Sequence, residues 1–360
     1  MTPLATNPFE NFYPVPNVDQ LINIAFSRGS KKSAAIPRGM EPILKAKRRE
    51  VNRIQNVSAY IIDKIKNIVQ SVPNLDNLHP FYQELSHLLV NKDLFRQNLG
   101  RLNGLIPVLQ QLLSSKVREI NLQDSSNKCG IVRRQYYARI ASILKEQRRT
   151  LDYLEQSRKK LKTIPVIDID LPAVVIAGYP NVGKSSIVKA ISTAKPIIRE
   201  YPFTTKEIII GLHKNSTNMK VFQLIDTPGI LDRPMKLRND IEKQAILALR
   251  TISNIIVFVI DPTVSSGYSV DNQISLFQEI LREFIEKVHV PFIIVINKID
   301  LANKDELEYI LSKLLQGDEK PKIIKTNAKD GENLDLLVES IMELIKEHDM
   351  FHLDFSKFAK

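Results

Sequence analysis

The stretch "GYPNVGKSS", residues 178–186, follows the apolar run "AVVIA" and leads into a helical pattern. Gly178, Gly183, Lys184 and Ser185 match the phosphate-binding loop G-x-x-x-x-G-K-[ST] in full. Its glycines let the backbone N–H groups of a tight loop, Asn181 and Val182 included, converge on a β-phosphate. Lys184 is placed to neutralise β- and γ-phosphate oxygens, and Ser185, with Ser186 beside it, to offer a hydroxyl to Mg2+. Alone, the loop identifies a nucleoside triphosphate site and leaves the base open.

The base is read from "NKID", residues 297–300, at the end of the run "FIIVI". Asp300 can accept from the N1–H and the 2-amino group of guanine. Adenine offers neither, and a buried carboxylate left unpaired would reject it. Asn297 is expected to brace the phosphate loop, and the Lys298 stem to lie over the base plane. "TNAKDG", residues 326–331, places the Ala328 N–H, between Asn327 and Lys329, to meet guanine O6. Asp226 is expected to hold Mg2+ through water, and the Gly229 N–H to contact the γ-phosphate. In "YPFTTK", residues 201–206, one threonine would complete the Mg2+ shell, with Thr205 preferred to Thr204. A lone N-K-x-D arises on surfaces by chance. Four motifs in chain order, each after a strand-like run, point to guanine nucleotide binding.

These loops need a sheet to hold them. From about residue 171, short apolar runs alternate with helical ones: strands over 173–177, 207–213, 220–225, 255–260, 291–296 and 322–325, with five helices between and after them. That is an α/β P-loop domain: a mostly parallel six-stranded sheet with flanking helices, over 171–347. Residues 348–360 read as a tail. The first half has a different period. Ile54, Val57, Ile61, Ile65 and Ile68 recur at threes and fours, and no segment alternates like a strand. An all-α bundle of four helices is expected over 41–163: one ending at Pro73, a second from near Pro80, a third after Gly104 and a fourth over 131–162. The bundle would follow an arm (1–40) with a short helix near 18–27.

Charge separates the halves. Residues 1–170 hold 27 Lys and Arg against 15 Asp and Glu, whereas the whole chain has a net charge of +11, so the entire surplus lies in the first half. A polyanionic partner follows for that half. Arg48, Arg49 and Arg53 cluster early in the first long helix, and Arg133, Arg134, Arg148, Arg149, Lys159 and Lys160 line the last. Tyr136 and Tyr137 sit among them, placed to stack on unpaired bases. A solvated charged face is the plainer account of such runs, weakened here by the few acidic residues among them. Arg233 and Arg238 divide evenly between ordinary switch charges and a partner contact. One cysteine, Cys129, excludes an internal disulfide framework, and six histidines show no metal spacing. Apolar runs are strand-length, so a membrane role is not expected and a cytoplasmic monomer is.

"GYPNVGKSS", "YPFTTK" and "DTPGILDRPMKLRNDIEKQAILAL" resemble the Obg-related GTPases and, more narrowly, the nucleolar GTP-binding protein 1 (Nog) family. "DPTVSSGYSVDNQ" and the N-terminal "NPFENFYPVPNVDQLINIAFSRG" are similar to that family too, so the resemblance covers essentially the whole chain. It implies an OBG-type G domain that cycles between GTP and GDP, and work on the precursor of the large ribosomal subunit and its rRNA. The chain is similar to a short, archaeal-type member. A regulatory GTPase acting on protein partners is the competing reading.

Hydrolysis poses a problem. Small signalling GTPases orient the attacking water with a Gln directly after the D-x-x-G glycine, but here Ile230 and Leu231 follow Gly229. Similar GTPases use an Asn in the phosphate loop to ligate K+, which makes Asn181 a candidate for charge neutralisation at the phosphates. The alternative for Asn181 is a loop amide with no ion. The expected catalytic set is therefore Lys184, Thr205, Gly229 and Asn181, with slow turnover until a partner orders the switches.

Overall fold

The computed structural model describes residues 6–31, 39–201, 207–227, 231–234, 237–282, 290–315, 321–348 and 350. Two compact units emerge. One takes Pro8–Asn77 and Leu89–Lys162; the other takes the residues up to Asn7, Leu78–Leu88 and the chain from Thr163 onward.

In the first unit, helices α1 (Val18–Lys31), α2 (Pro42–Gln70), α4 (Lys92–Leu122), α5 (Ser126–Glu146) and α6 (Arg148–Lys162) pack together. α3 (Pro80–Leu89) falls mostly in the second unit, where the Tyr82 hydroxyl bonds both the N–H and the C=O of Ile167 at 3.1 Å. α2 begins with Pro42, whose missing N–H would have had no helical partner. Its stripe Ile54, Val57, Ile61, Ile65 and Ile68 is buried, each side chain contributing roughly 1.5–3 kcal/mol.

Two expected helix boundaries are corrected. The helix expected to begin after Gly104 begins at Lys92, with Asn91 capping it by accepting from the Leu94 N–H at 2.9 Å. It runs on through Gly104 and Pro107. Pro107 and Asn103, whose carbonyl loses its helical donor, are both exposed, so water takes the freed group. Meanwhile Phe95, Leu102, Leu109 and Ile120 keep the stripe buried. The single long helix expected over 131–162 is two helices that part at Gln147, whose N–H turns back to the Leu144 carbonyl at 3.0 Å.

Among the described residues the second unit is built on seven strands rather than six: β1 (Ala173–Ala177), β2 (Ile197–Glu200), β3 (Glu207–Lys214), β4 (Lys220–Asp226), β5 (Ile255–Ile260), β6 (Phe292–Asn297) and β7 (Lys322–Thr326). Their order is β2-β3-β4-β1-β5-β6-β7. The β4-β1-β5-β6-β7 stretch is parallel, and β2 and β3 extend it antiparallel. The missed strand, β2, is four residues at the edge, flanked by Pro196 and Pro202. It leaves Ile197 and Ile198 about half exposed, so main-chain pairing and not burial defines it. Helices α7 (Lys184–Ile191), α8 (Asp240–Arg250), α9 (Val270–Ile280), α10 (Lys304–Leu314) and α11 (Leu334–Glu347) complete the unit. β1, β5 and β6 are apolar on both faces, as parallel strands covered on both sides must be. The chain changes direction across the sheet at β1, between β4 and β5, which opens a crevice at the strand ends.

Candidate functional site

Out of that crevice rises the loop between β1 and α7. Gly178 (φ +133°) and Gly183 (φ +102°) occupy backbone that L residues avoid. A Cβ on Gly178 would stand 2.4 Å from the Val259 carbonyl oxygen, and one on Gly183 2.1 Å from Asn297 Nδ2. Asn181 is also left-handed (φ +63°), a conformation Asn tolerates better than other side chains, and it is exposed. Val182 is buried beneath the loop.

Lys184 is buried, and Nζ donates to the carbonyls of Gly178 at 2.8 Å and Tyr179 at 2.7 Å. Two of its three protons thus close the loop on itself, leaving one for an anion. Burial lowers its pKa, against the pull of Asp226 and Asp232. Ser185 Oγ donates to Asp226 Oδ2 at 2.5 Å, and Ser186 beside it is exposed. The second Asp226 oxygen, Oδ1, is buried without a hydrogen-bond partner among the described residues. Burial raises the Asp226 pKa, while the Ser185 hydroxyl and the Lys184 charge pull it back. A buried carboxylate with a bare oxygen, next to a hydroxyl and an ammonium, fits a divalent cation and an anionic ligand together.

The base loop is tied to the phosphate loop. Asn297 Nδ2 donates to the Val182 carbonyl at 2.9 Å, and Asn297 Oδ1 accepts from Thr326 Oγ1 at 3.1 Å and the Ala328 N–H at 3.0 Å. Register explains the pairing, since Asn297 and Thr326 are partners at the ends of β6 and β7. The Ala328 N–H expected to meet guanine O6 is therefore directed at Asn297. Asn327 is buried and shapes its own turn, accepting from the Lys329 N–H at 3.1 Å and donating to Asp330 at 2.7 Å. Its side chain therefore holds the turn that carries Ala328 and Lys329. Asp300 is exposed at the mouth of the base loop, where a ligand can reach its carboxylate. Lys298 reaches Asp261 and Ser265, two partners the motif reading missed.

Thr204, Thr205, Gly229 and Ile230 lie outside the described residues. Leu231, however, is buried, and its carbonyl accepts from the Gly178 N–H at 3.1 Å, so this residue packs and presents no group to water. Arg238 is buried beside Asp232 and donates to the Arg233 carbonyl at 2.8 Å, which withdraws it from any partner surface. Arg233 pairs with Glu242.

In the helical unit, Arg49, Arg53 and Arg133 converge on one buried carboxylate, Glu50, at 2.9, 3.1 and 2.6 Å. Arg148 pairs with Asp19, and Arg48, Arg134, Arg149, Lys159 and Lys160 are exposed. The expectation that Tyr136 stacks on bases is corrected: it is fully buried, donates to Ser58 at 2.8 Å, and burial pushes its pKa up to about 12. Tyr137 is committed as well, stacked on Phe26 with ring centroids 4.5 Å apart. Both tyrosines lie on the inward side of α5, a placement that counting spacing among arginines does not reveal. Among the described residues no helix is long and apolar enough to cross a membrane.

A phosphate loop at the switch point of a mostly parallel sheet, braced by the asparagine of an N-K-x-D loop, is the arrangement of a P-loop GTPase. Residues 173–298 match the model described as "50S ribosome-binding GTPase", and residues 9–168 match the "NOG1 N-terminal helical domain". An uncharacterized protein of Methanocaldococcus jannaschii is 35% identical over 84% of this chain and 83% of its own. Nucleolar GTP-binding protein 1 of Drosophila melanogaster is 31% identical over 94% of this chain and 52% of its own, and that of Saccharomyces cerevisiae 30% identical over 84% and 46%. The chain belongs to the nucleolar GTP-binding protein 1 family of GTPases, and it spans about half the length of these eukaryotic relatives.

Proposed function

We propose that this GTPase is an assembly factor of the large ribosomal subunit, which docks on rRNA through its helical unit and times arrival and release by its nucleotide state. What supports the docking is the exposure of Arg134, Arg139, Lys145, Arg149, Lys159 and Lys160 on α5 and α6, in a half of the chain that holds the whole surplus of charge. The names of the matched families and relatives, ribosome-binding and nucleolar, direct the reading to ribosomal RNA. Phosphate contacts of this kind give steep salt dependence and little sequence reading.

In the G domain, Asp300 reads the guanine edge while Asn297 holds base loop and phosphate loop in fixed relation. Lys184 carries one proton toward the β- and γ-phosphates. Ser185 and Asp226, with Thr205, would hold Mg2+, which when bound offsets charge on the phosphates. Asn181, exposed and left-handed in the same loop, is the residue available to K+. Neither Ile230 nor Leu231 has a side chain that can orient water, so turnover is slow until a bound partner orders the switches. Equal hydrolysis rates in Na+ and K+ would remove the K+ assignment.

The helical part is tested with rRNA fragments. Arg134→Glu with Arg149→Glu lowers affinity and flattens its dependence on salt, the slope changing by about one for each phosphate left without its arginine. Binding to ribosomal particles that survives RNase treatment contradicts the reading and favours a protein partner.

A further inference from the structure

Asp261 directly follows β5 and is fully buried, yet none of the nucleotide motifs includes it. Its Oδ1 accepts from the Thr263 N–H at 2.9 Å and the Thr263 hydroxyl at 2.7 Å. Its Oδ2 accepts from the Ser265 hydroxyl at 2.9 Å and from Lys298 Nζ at 2.7 Å. Lys298 Nζ also reaches Ser265 Oγ at 3.0 Å. The lysine of the base-reading loop is thus anchored at its charged end by a buried carboxylate and a hydroxyl. Its own backbone is left-handed (φ +61°), a conformation unfavourable for Lys and here accompanied by that anchor.

The anchor is itself held. Gln273 of α9, fully buried, accepts from the Asp261 N–H at 2.9 Å and donates to the Asp261 carbonyl at 3.0 Å and the Tyr268 carbonyl at 3.2 Å. The Tyr268 and Tyr179 ring centroids lie 4.2 Å apart, and the Tyr179 carbonyl accepts a hydrogen bond from Lys184. The segment from Asp261 to Gln273 therefore touches the base loop at Lys298 and the phosphate loop at Tyr179.

We propose that Asp261 is a positioning residue for guanine recognition: with Ser265 it fixes the Lys298 ammonium so that the lysine stem stands ready as one wall of the base slot. The proposal rests on reading residues 297–300 as the base site. An unanchored lysine loses rotamer freedom only when the base arrives, so that cost falls on affinity. Anchored beforehand, it does not. Because the effect lies at the base and not at the γ-phosphate, it weakens GDP and GTP alike and leaves the chemical step alone.

The test is a double-mutant cycle on the full chain, read by titration with fluorescent GDP and a non-hydrolysable GTP analogue, and by kcat at saturating GTP. Asp261→Asn weakens both nucleotides about tenfold with kcat within twofold of the parent. In a Lys298→Ala background the same change costs less than twofold. Ser265→Ala, which leaves the buried contacts of Asp261 with Thr263 and Gln273 in place, costs about threefold and serves if Asp261→Asn does not fold. Undiminished affinity in Asp261→Asn, or a loss just as large without Lys298, overturns the proposal. So does undiminished affinity in Ser265→Ala where Asp261→Asn does not fold. Failure of the unaltered chain to prefer guanine over adenine nucleotides would instead remove the base-site reading beneath it.

Discussion

Gly183→Ala places one methyl group where three functional contacts meet. The added Cβ would lie 2.1 Å from Asn297 Nδ2, about half the ordinary separation of such atoms, and the backbone at φ +102° is strained for any L side chain. Asn297 cannot yield without giving up its bonds to Val182, Thr326 and Ala328. Each such bond is worth about 1 kcal/mol net, so their loss costs about 3 kcal/mol, and the strained backbone adds roughly 1–2 kcal/mol. The bonds tie Asn297 to the phosphate loop at Val182 and to the end of β7 at Thr326 and Ala328, so most of that loss appears as nucleotide affinity, a weakening of about a hundredfold. Titration with a fluorescent GDP analogue reads it directly, and thermal unfolding without nucleotide separates the part that destabilises the fold. A Gly183→Ala protein that binds GDP within threefold of the parent would refute the reasoning, because it would mean Asn297 does not hold the loops in register.

Gly100 and Gly104 are the opposite case: both are exposed in α4 with nothing within 4 Å of an added Cβ, so either changed to Ala raises stability by about 0.5–1 kcal/mol in urea unfolding. Tyr136→Phe loses the hydrogen bond to Ser58 and about 1 kcal/mol of stability, with rRNA affinity unchanged. Burial pushes the Glu50 carboxyl up, but the hydrogen bond from Arg49 and the charges of Arg53 and Arg133 outweigh it and hold the pKa below the ordinary glutamate value. Its stabilising contribution is therefore complete above the unfolded-state pKa and lost as pH falls through the folded one. Glu50→Gln removes that acid-side loss and costs roughly 2 kcal/mol at neutral pH, measured as unfolding free energy against pH.

The parts of the site that depend on local chemistry were legible in the sequence. A strand-length apolar run followed by glycines at fixed offsets and a Lys-Ser pair admits few other loops, and Asn297 at the end of the next-but-one parallel strand falls beside the phosphate loop by topology alone. What was not legible depends on long-range placement. Asp261 and Gln273 are twelve residues apart, and Lys298 lies a further strand away, so no local spacing links them. Tyr136 and Tyr137 stand in a basic run, yet the helical phase that buries Tyr136 and half-buries Tyr137 is set by Ser58 and Phe26 from other helices. β2 escaped notice because its two isoleucines are exposed, so the pattern of alternate burial that marks a strand is missing. Gly104 and Pro107 looked like a helix boundary because propensity is local, whereas the buried stripe that carries α4 through them is not.

The most direct test of the account is sedimentation of the purified chain with large ribosomal subunits and their precursors, with a non-hydrolysable GTP analogue and then with GDP. Co-sedimentation with the GTP analogue and release with GDP are the expected results. Equal binding in both states, or none in either, would contradict a nucleotide-timed encounter with ribosomal RNA.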